Sequence, residues 1–255
     1  MIKPVILKPD SLMTFEEGLL LTYPLRDLEI LKRRIEVIKR FGVDLIEFTG
    51  SKEVLGVNLL GKGTRSIVVK AWVSGYPYAL KIRRLDSSIP NLKKEAENMK
   101  IANSVSVGPK LISYDDDVIL MELIDGKPIL DWMSNQKDPN AVRRVLLKLI
   151  LDVYRLDMVC LDHGELSRAS KHIFVKSNNE PVILDFGSSS VNRRPSNVSS
   201  LVSYLFIRNT LRNNLQNICG HTSKEEILEM LRNYKRKPSE ETLKNLIETL
   251  NLNVN

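Results

Sequence analysis

The sequence predicts an α+β protein of two lobes, in which a small antiparallel β lobe precedes a mainly helical lobe. Short β-type runs separated by glycines dominate from Val54 onward, and amphipathic helical patterns dominate the second half of the chain. The change falls near residues 121–126, where we expect a ligand-binding cleft. The predicted boundaries are a helical N-terminal extension at 1–50, a β lobe at 51–124 and a helical lobe at 125–255.

The first 50 residues have a mostly helical pattern, since apolar residues from Leu25 to Ile38 recur at about 3.6 residues, with Arg and Lys between them. From Val54 the pattern alternates instead. The runs VLGVNLLGKG, SIVVKAWV and YPYALKIRRL predict an antiparallel meander. Pro90 occupies a position that favours a helix start, so we expect a helix from there to about residue 104.

The second half is predicted to contain a β pair among helices. The run KLISYDDDVILMELI predicts two strands around an acidic turn, and residues 139 to about 159 form a long apolar-striped helix. HIFV and PVILDF then predict a further β pair. Three helical segments, at about 197–215, 223–235 and 238–251, close the chain.

Composition excludes some classes of protein. The formal net charge of +7 suits acidic ligands such as nucleotides, phosphorylated substrates or RNA, although charged helix faces explain it equally well. Two cysteines without a CxxC pair provide neither a zinc framework nor a disulfide scaffold, which fits a reducing cytoplasm. No apolar run approaches the roughly 18 residues of a membrane span, and no signal-peptide pattern is present. We expect a cytoplasmic location.

Two features of the β lobe suggest phosphate chemistry. Gly61 to Val68 form a strand–loop–strand segment whose glycines permit positive φ and close approach of the backbone to a phosphate, although a plain hairpin turn explains them too. Lys81 ends an apolar strand and either extends to solvent or pairs with a glutamate of the next helix. Glu95 is favoured over Glu97 as that partner, because a methionine one turn later would anchor its helix face in the core.

The helical lobe carries two polar interruptions of apolar sequence. In VILDFGSS a β run ends at Asp185, whose carboxylate needs a cation or a donor if it is buried. Magnesium with phosphate oxygens would provide one. One hairpin earlier, LDHGELSRASKHIFV places His, Gly, Glu, Ser and Arg between apolar segments.

The order of these motifs resembles the protein-kinase signature: glycine loop, strand lysine, helix glutamate, hinge, catalytic loop and DFG. The resemblance spans Gly61 to Gly187, roughly half the chain. In detail the sequence is similar to atypical kinases, namely the RIO type, the lipopolysaccharide-kinase type and an archaeal family of predicted serine/threonine kinases. It implies a bilobal protein-kinase-like fold.

The resemblance also implies nucleotide-binding positions in the glycine loop, the lysine strand and the hinge. Ser66 replaces the third glycine of the loop, and Met121 occupies the gatekeeper position. The implied positions are Gly61, Lys62, Gly63, Ser66, Val68, Ala79, Lys81, Met121, Glu122 and Leu123.

The catalytic loop departs from the family pattern. Glu165 replaces the base aspartate, and Gly164 replaces the arginine that would pair with a phosphorylated activation segment, so we expect no such phospho-activation. Direct counting puts Ser170 at the metal-binding asparagine, whereas the register of the following strand puts His172 there, and we favour His172. Because imidazole is a poor magnesium ligand and suits softer metals, two alternatives stay open: Asp185 holds Mg²⁺ alone, or Asp185 and His172 together hold an ion for which Mn²⁺ is preferred.

We therefore expect an ATP-dependent phosphotransferase, specifically an atypical protein serine/threonine kinase acting on a hydroxyl group. Lys81 would grip the nucleotide phosphates, Glu95 orient Lys81, Asp185 hold the metal and Glu165 position the acceptor. The alternatives are a pseudokinase that binds nucleotide without turnover and a small-molecule or lipopolysaccharide-type kinase. The expected partners are ATP and a protein acceptor, while contact with RNA or the ribosome rests on charge and analogy alone.

Overall fold

The structure is a computed structural model that describes residues 4–208 and 212–253, the side chains of residues 212–214 excepted. The chain divides into two compact units. The first contains the residues up to Met99 together with Pro109–Leu123, and the second contains Lys100–Gly108 together with the residues from Ile124 onward.

An antiparallel sheet organises the first unit. Seven strands form it, in the order β1-β2-β6-β7-β9-β8, with β5 pairing on β6, while β3 and β4 form a separate hairpin. The strands of this unit are β1 (Val5–Leu7), β2 (Leu45–Phe48), β3 (Lys52–Val54), β4 (Val57–Leu59), β5 (Gly61–Lys62), β6 (Ser66–Val73), β7 (Tyr76–Arg83), β8 (Leu111–Tyr114) and β9 (Val118–Glu122). Alternate residues of β6, β7 and β9 are buried on the face that helix α1 (Leu28–Arg40) covers.

The N-terminal cap of helix α1 and its buried apolar face both follow from its sequence. The Asp27 side chain caps it by accepting a hydrogen bond from the Ile30 N–H at 2.8 Å. Leu31, Ile35 and Ile38 lie one turn apart and are almost fully buried in the core of the first unit.

Arg34 lies on the same buried face of α1 and forms an ion pair with Asp117. Its Nη2 is 2.7 Å from Asp117 Oδ2, and Arg83 Nε is 2.5 Å from Asp117 Oδ1. Burial of Asp117 opposes its ionisation, but the hydrogen bonds and charges of Arg83 and Arg34 outweigh it and hold the pKa of this carboxyl below its usual range.

The expectation of mostly helical structure in residues 1–50 is wrong at both ends of that segment. β1 pairs with β2, and β2 pairs with β6, so this segment contributes two strands to the main sheet. Two 3-10 turns, Pro9–Met13 and Glu16–Thr22, lie between β1 and α1. Four apolar-rich residues such as LIEF are too few for periodicity to separate strand from helix.

Helix α2 (Lys93–Ser104) passes from the first unit into the second. It begins three residues after Pro90. The residue just before the helix is Leu92, whose N–H donates to the Asp116 carbonyl at 2.6 Å. Glu95 lies in its first turn, beside the buried Ala96 and one turn before the buried Met99.

The second unit is mainly helical. Its long helix α4 buries an apolar stripe from Val142 to Val153, as the sequence pattern predicts, and α7 and α8 both begin with capping boxes. The helices are α3 (Ile129–Asn135), α4 (Pro139–Met158), α5 (Asn197–Val202), α6 (Arg212–Cys219), α7 (Lys224–Arg236) and α8 (Glu240–Thr249), with a π-helical turn at Ser203–Arg208. A small antiparallel sheet contains β10 (Gly126–Pro128), β11 (Ile173–Lys176) and β12 (Pro181–Ile183).

The predicted α+β class is confirmed by this arrangement of a β-rich unit and a mainly helical unit. Within residues 4–208 and 212–253, none of the helices has the length and apolar character needed to cross a bilayer.

Candidate active site

A buried ion pair lies in the first unit. Lys81 on β7 pairs with Ile119 and Val68 of the neighbouring strands, so it occupies the middle of the sheet. Its Nζ is 2.5 Å from Glu95 Oε1 of α2, and the two side chains are only 9% and 6% exposed. Glu97, the competing partner, is exposed. Because burying two charges costs desolvation free energy, an ion pair in this place contributes little to stability and suggests a functional role.

The glycine loop is a tight hairpin. β5 pairs with β6 through Gly61 and Val68, and the Gly63 N–H donates to the Ser66 carbonyl at 2.8 Å. Neither glycine has a positive φ, so the left-handed conformation that the sequence allowed is not used. A Cβ on Gly61 would lie 3.3 Å from Val68 Cγ2, which shows that close packing is what favours glycine there.

Lys62, between the two glycines, is exposed. Its ammonium lies 5.6 Å from the centroid of the Tyr23 ring, within the range of a cation–π contact. Ser66 at the start of β6 is buried. The structure therefore orients Lys62 toward an aromatic side chain of its own unit.

The predicted hinge begins where β9 ends. Ala79 lies opposite Met121 across the β7–β9 pair, and Ala79 is buried while Met121 is partly exposed. The Glu122 N–H donates to the Lys110 carbonyl at 2.9 Å, and the Glu122 carboxylate accepts from the Lys110 N–H at 3.1 Å. Leu123 follows directly as the last residue of the first unit.

Three of the predicted catalytic and metal-binding residues meet in the second unit. Glu165 and His172 flank the 3-10 segment Leu166–Lys171, and His172 Nε2 is 3.0 Å from Glu165 Oε2. Asp185 follows β12, and one ligand atom from each of the three side chains lies within 4.8 Å of the other two. Ser170, the alternative to His172, lies within that 3-10 segment and is partly buried. Two carboxylates and an imidazole are donors suited to a divalent cation.

The backbone of Asp185 is strained. Its φ of 67° and ψ of 79° lie in the left-handed region, which non-glycine residues rarely adopt, and its Oδ1 is 3.4 Å from the Gly187 N–H. Such conformations cost about 1–3 kcal/mol and persist where surrounding structure enforces them. The strain points to a functional position for this carboxylate.

The neighbouring Phe186 is held by close contacts. It is buried, and its ring packs edge-on against His163 with 5.3 Å between centroids. Gly108, after α2, has a φ of 80°, and a Cβ there would lie 2.6 Å from Phe186 Cε2. Only glycine fits at that position without moving the ring.

His163 contacts His172 of this cluster and the backbone carbonyl of Leu184, the residue before Asp185. It is fully buried, and burial lowers its pKa because it disfavours the charged ring. Its Nε2 is 3.0 Å from the Leu184 carbonyl, which fixes the proton on Nε2 as a donor. The ring also packs edge-on against His172, with 5.6 Å between centroids. His163 therefore connects the loop to the segment just before Asp185.

A buried polar network that the sequence analysis missed anchors the same loop. The Asn197 side chain accepts from the His163 N–H at 2.8 Å and donates to the Leu161 carbonyl at 2.7 Å and to Asp157 Oδ1 at 2.8 Å. The Tyr234 hydroxyl donates to Asp157 Oδ2 at 2.9 Å. Burial raises the pKa of Asp157, partly offset by these hydrogen bonds, and burial next to Asp157 raises the pKa of Tyr234. The one sequence signal was an aspartate at the end of the apolar stripe of α4.

The segment after Asp185 is tied to the loop by Arg193. Its Nη2 donates to the Ser188 carbonyl at 2.8 Å and is 2.9 Å from Asp162 Oδ2. Gly164 has a φ of 84°, and a Cβ there would lie 2.5 Å from Arg193 Nη2. The absence of a side chain at Gly164 thus makes room for an arginine from later in the chain.

Comparison with known proteins identifies the family. The model of the RIO domain family matches residues 76–203, half of the chain, which includes Lys81, Glu95 and the whole cluster of Glu165, His172 and Asp185. The chain belongs to the RIO domain family. The predicted relationship to atypical protein kinases is thereby confirmed.

A curated relative supports the same assignment. This RIO domain protein is 28% identical over 119 residues to the EKC/KEOPS complex subunit BUD32 of Encephalitozoon cuniculi (strain GB-M1). The alignment covers 46% of this chain and 57% of the relative.

Proposed function

We propose that this RIO domain protein is an ATP-dependent phosphotransferase of the cytoplasm, an atypical protein kinase that acts on serine or threonine hydroxyls. The observation that carries the proposal is the buried Lys81–Glu95 pair, with 2.5 Å between Nζ and Oε1. In kinases this lysine contacts nucleotide phosphates and the glutamate holds it in place. In the proposed roles, Lys81 neutralises phosphate charge, and the hairpin from Gly61 to Val68 and the segment from Met121 to Leu123 contact the nucleotide.

The proposed metal ligands are Asp185 and His172. Their donor atoms, with those of Glu165, lie within 4.8 Å of one another, and the backbone of Asp185 is in the left-handed region. A divalent cation held there would supply positive charge to the phosphate oxygens. The imidazole favours a transition metal such as Mn²⁺, and the carboxylates also accept Mg²⁺.

Glu165 is the proposed acceptor-orienting residue. Its carboxylate is partly exposed, so an acceptor hydroxyl can reach it, and His172 at 3.0 Å restricts its rotamers. A carboxylate in this role accepts the hydrogen bond of the attacking hydroxyl and aligns it for transfer. Glu165 has one methylene more than aspartate, and its carboxylate lies 3.0 Å from His172 Nε2.

The partners in this proposal are ATP and a protein acceptor. The curated relative is named as a subunit of the EKC/KEOPS complex, which supports looking for a protein partner of this chain as well. Contact with RNA or the ribosome remains a proposal supported by the net charge of +7.

A second candidate function, a nucleotide-binding scaffold without turnover, is favoured by one observation. Two of the residues that depart from the kinase pattern, Glu165 and His172, contact each other directly. In a scaffold, the contact between Glu165 and His172 would stabilise the segment between these two residues and would not align an acceptor.

The experiment that tests the proposal is transfer of labelled phosphate from ATP to the protein itself and to a mixed protein substrate, with Mg²⁺ or Mn²⁺. We expect incorporation by the wild type, none by Asp185→Ala, and a loss of at least about 100-fold for Glu165→Ala. Asp131→Ala, at an exposed aspartate of α3, is the matched control and should keep full activity. ATP binding without incorporation by the wild type would refute the kinase and support the scaffold.

A further inference from the structure

A groove of about 230 Å³ lies in the first unit, between the segment before α1 and the hairpin of β3 and β4. All of its lining residues precede residue 76, where the match to the RIO domain begins, so the groove lies outside that domain. Leu55 is exposed, and the other apolar residues of the lining are buried or partly buried. These apolar residues are Leu19, Leu20, Tyr23, Pro24, Leu55 and Val57.

Leu55 is both exposed and strained. It is 62% exposed in the two-residue turn of the β3–β4 hairpin, and its φ of 51° is followed by a φ of 80° at Gly56. Two consecutive positive φ values are typical of the hairpin turn that Asn-Gly or Asp-Gly forms best, and a bulky residue rarely adopts them. Leucine at this position therefore costs free energy and leaves most of its apolar surface in water. Backbone strain of this kind points to a function for the side chain.

The charged residues of the lining indicate which occupant it accepts. They are Glu16, Glu17 and Arg26, and among residues 4–208 and 212–253 their side chains form neither ion pairs nor hydrogen bonds. Two adjacent carboxylates against one guanidinium attract a cationic group and repel the phosphates of a nucleic acid or an anionic membrane. The volume is below the roughly 300–1,000 Å³ of small-molecule pockets, so it suits a single large side chain.

Tyr23 connects the groove with the glycine hairpin. The centroid of its ring lies 5.6 Å from Lys62 Nζ and 4.9 Å from Arg84 Cζ, which are cation–π distances. Arg84 Nη1 donates a hydrogen bond to the Gly63 carbonyl at 2.8 Å. An occupant that packs against Tyr23 would therefore restrain two cations that contact or belong to the glycine hairpin.

We infer that this groove is a docking site for a protein partner, which inserts a large apolar side chain flanked by lysine or arginine. The apolar side chain packs against Leu55 and Tyr23, and the flanking cations pair with Glu16 and Glu17. Docking restrains Tyr23 and hence the glycine hairpin, which raises the affinity of the protein for ATP. This effect on ATP rests on the proposed function, whereas docking itself does not.

Binding is tested with a random peptide library displayed on phage and selected on the full-length protein, followed by titration calorimetry of the selected peptides. We expect these peptides to share a large apolar residue next to Lys or Arg. Leu55→Asn should weaken their binding by at least about tenfold, because the apolar contact is lost. It should also raise the melting temperature, because asparagine before glycine is preferred in this turn.

Matched variants separate the groove from the rest of the surface. Ile112→Asn, at another exposed apolar residue of the first unit, should leave peptide binding within about twofold of the wild type. Replacing Glu16 and Glu17 together with glutamine should weaken binding by at least about threefold. Glu29→Gln, at an exposed glutamate that does not line the groove, should have no such effect.

Three results would overturn the docking site. The first is a selection that enriches no peptide or only acidic ones, and the second is equal binding of the peptides by the wild type and Leu55→Asn. The third is a lower melting temperature of Leu55→Asn, since Leu55 would then stabilise the fold. Binding of an oligoribonucleotide or of anionic vesicles that Leu55→Asn abolishes would also refute a protein occupant.

The effect on ATP has its own test. A saturating selected peptide should tighten ATP binding by about fivefold or more. Arg84→Gln, which removes the bond to the Gly63 carbonyl but no lining residue, should keep peptide binding and reduce this effect. Unchanged ATP affinity with bound peptide would refute the coupling through Tyr23. Peptide binding by a protein that binds no ATP would uphold the docking site and refute the proposed kinase instead.

Discussion

Replacing both members of the Lys81–Glu95 pair with apolar residues separates function from stability. Lys81→Met and Glu95→Leu keep about the same volume at positions that are 9% and 6% exposed. Each single variant breaks a buried ion pair by removing one of its two charges, and such a change typically costs about 3–5 kcal/mol of unfolding free energy. The double variant removes both charges, and such replacements are typically neutral or stabilising by about 1–4 kcal/mol.

The assay is urea unfolding of the four proteins, followed by tryptophan fluorescence, together with phosphate transfer from labelled ATP. We expect both single variants to be destabilised, the double variant to recover the stability of the wild type, and all three to lose transfer. The exposed pair Lys244–Glu248, with 3.9 Å between its charged atoms, is the control, and Lys244→Ala should change stability by less than about 1 kcal/mol.

Two results would refute the reasoning. If the double variant is destabilised by the sum of the single variants, the pair is a structural element and not a functional one. If it still transfers phosphate, Lys81 has no role in nucleotide chemistry.

Two further predictions concern single positions. Two arginine partners hold the pKa of Asp117 below its usual range. The ionised Asp117 therefore stabilises the folded protein fully above about pH 3.9, and this stabilisation is lost as the pH falls through the lowered pKa. Asp117→Asn should therefore be less stable than wild type at pH 7, by about 3–5 kcal/mol at most since Arg34 stays buried, and the gap in melting temperature should narrow below pH 4. Gly108→Ala should cost about 1–3 kcal/mol and reduce activity, because its Cβ would displace Phe186 beside Asp185. Gly56→Ala has the same φ of 80° but nothing within 4 Å, so its melting temperature isolates backbone strain from the clash.

The spacing of apolar residues along the chain correctly predicted those elements that are long enough to show a period. The apolar stripe of α4 predicted a long helix. Helical spacing correctly favoured Glu95 over Glu97 as the partner of Lys81. The strands β1 and β2 were missed because runs of three or four residues carry no usable period.

What the sequence could not predict depends on contacts between distant residues. Asn197 hydrogen-bonds to His163 across 34 positions, and Tyr234 hydrogen-bonds to Asp157 across 77. Such features depend on tertiary packing, which single-sequence patterns do not encode.

The contacts of Arg193 have a consequence for regulation. Kinases that order this segment through phosphorylation need another enzyme to install the charge that an arginine then grips. Here the cation and its partners, Ser188 and Asp162, belong to the same polypeptide and come together when the second unit folds. The position of this stretch of backbone therefore depends on a charge that the chain itself encodes, and no added phosphate is needed to hold it.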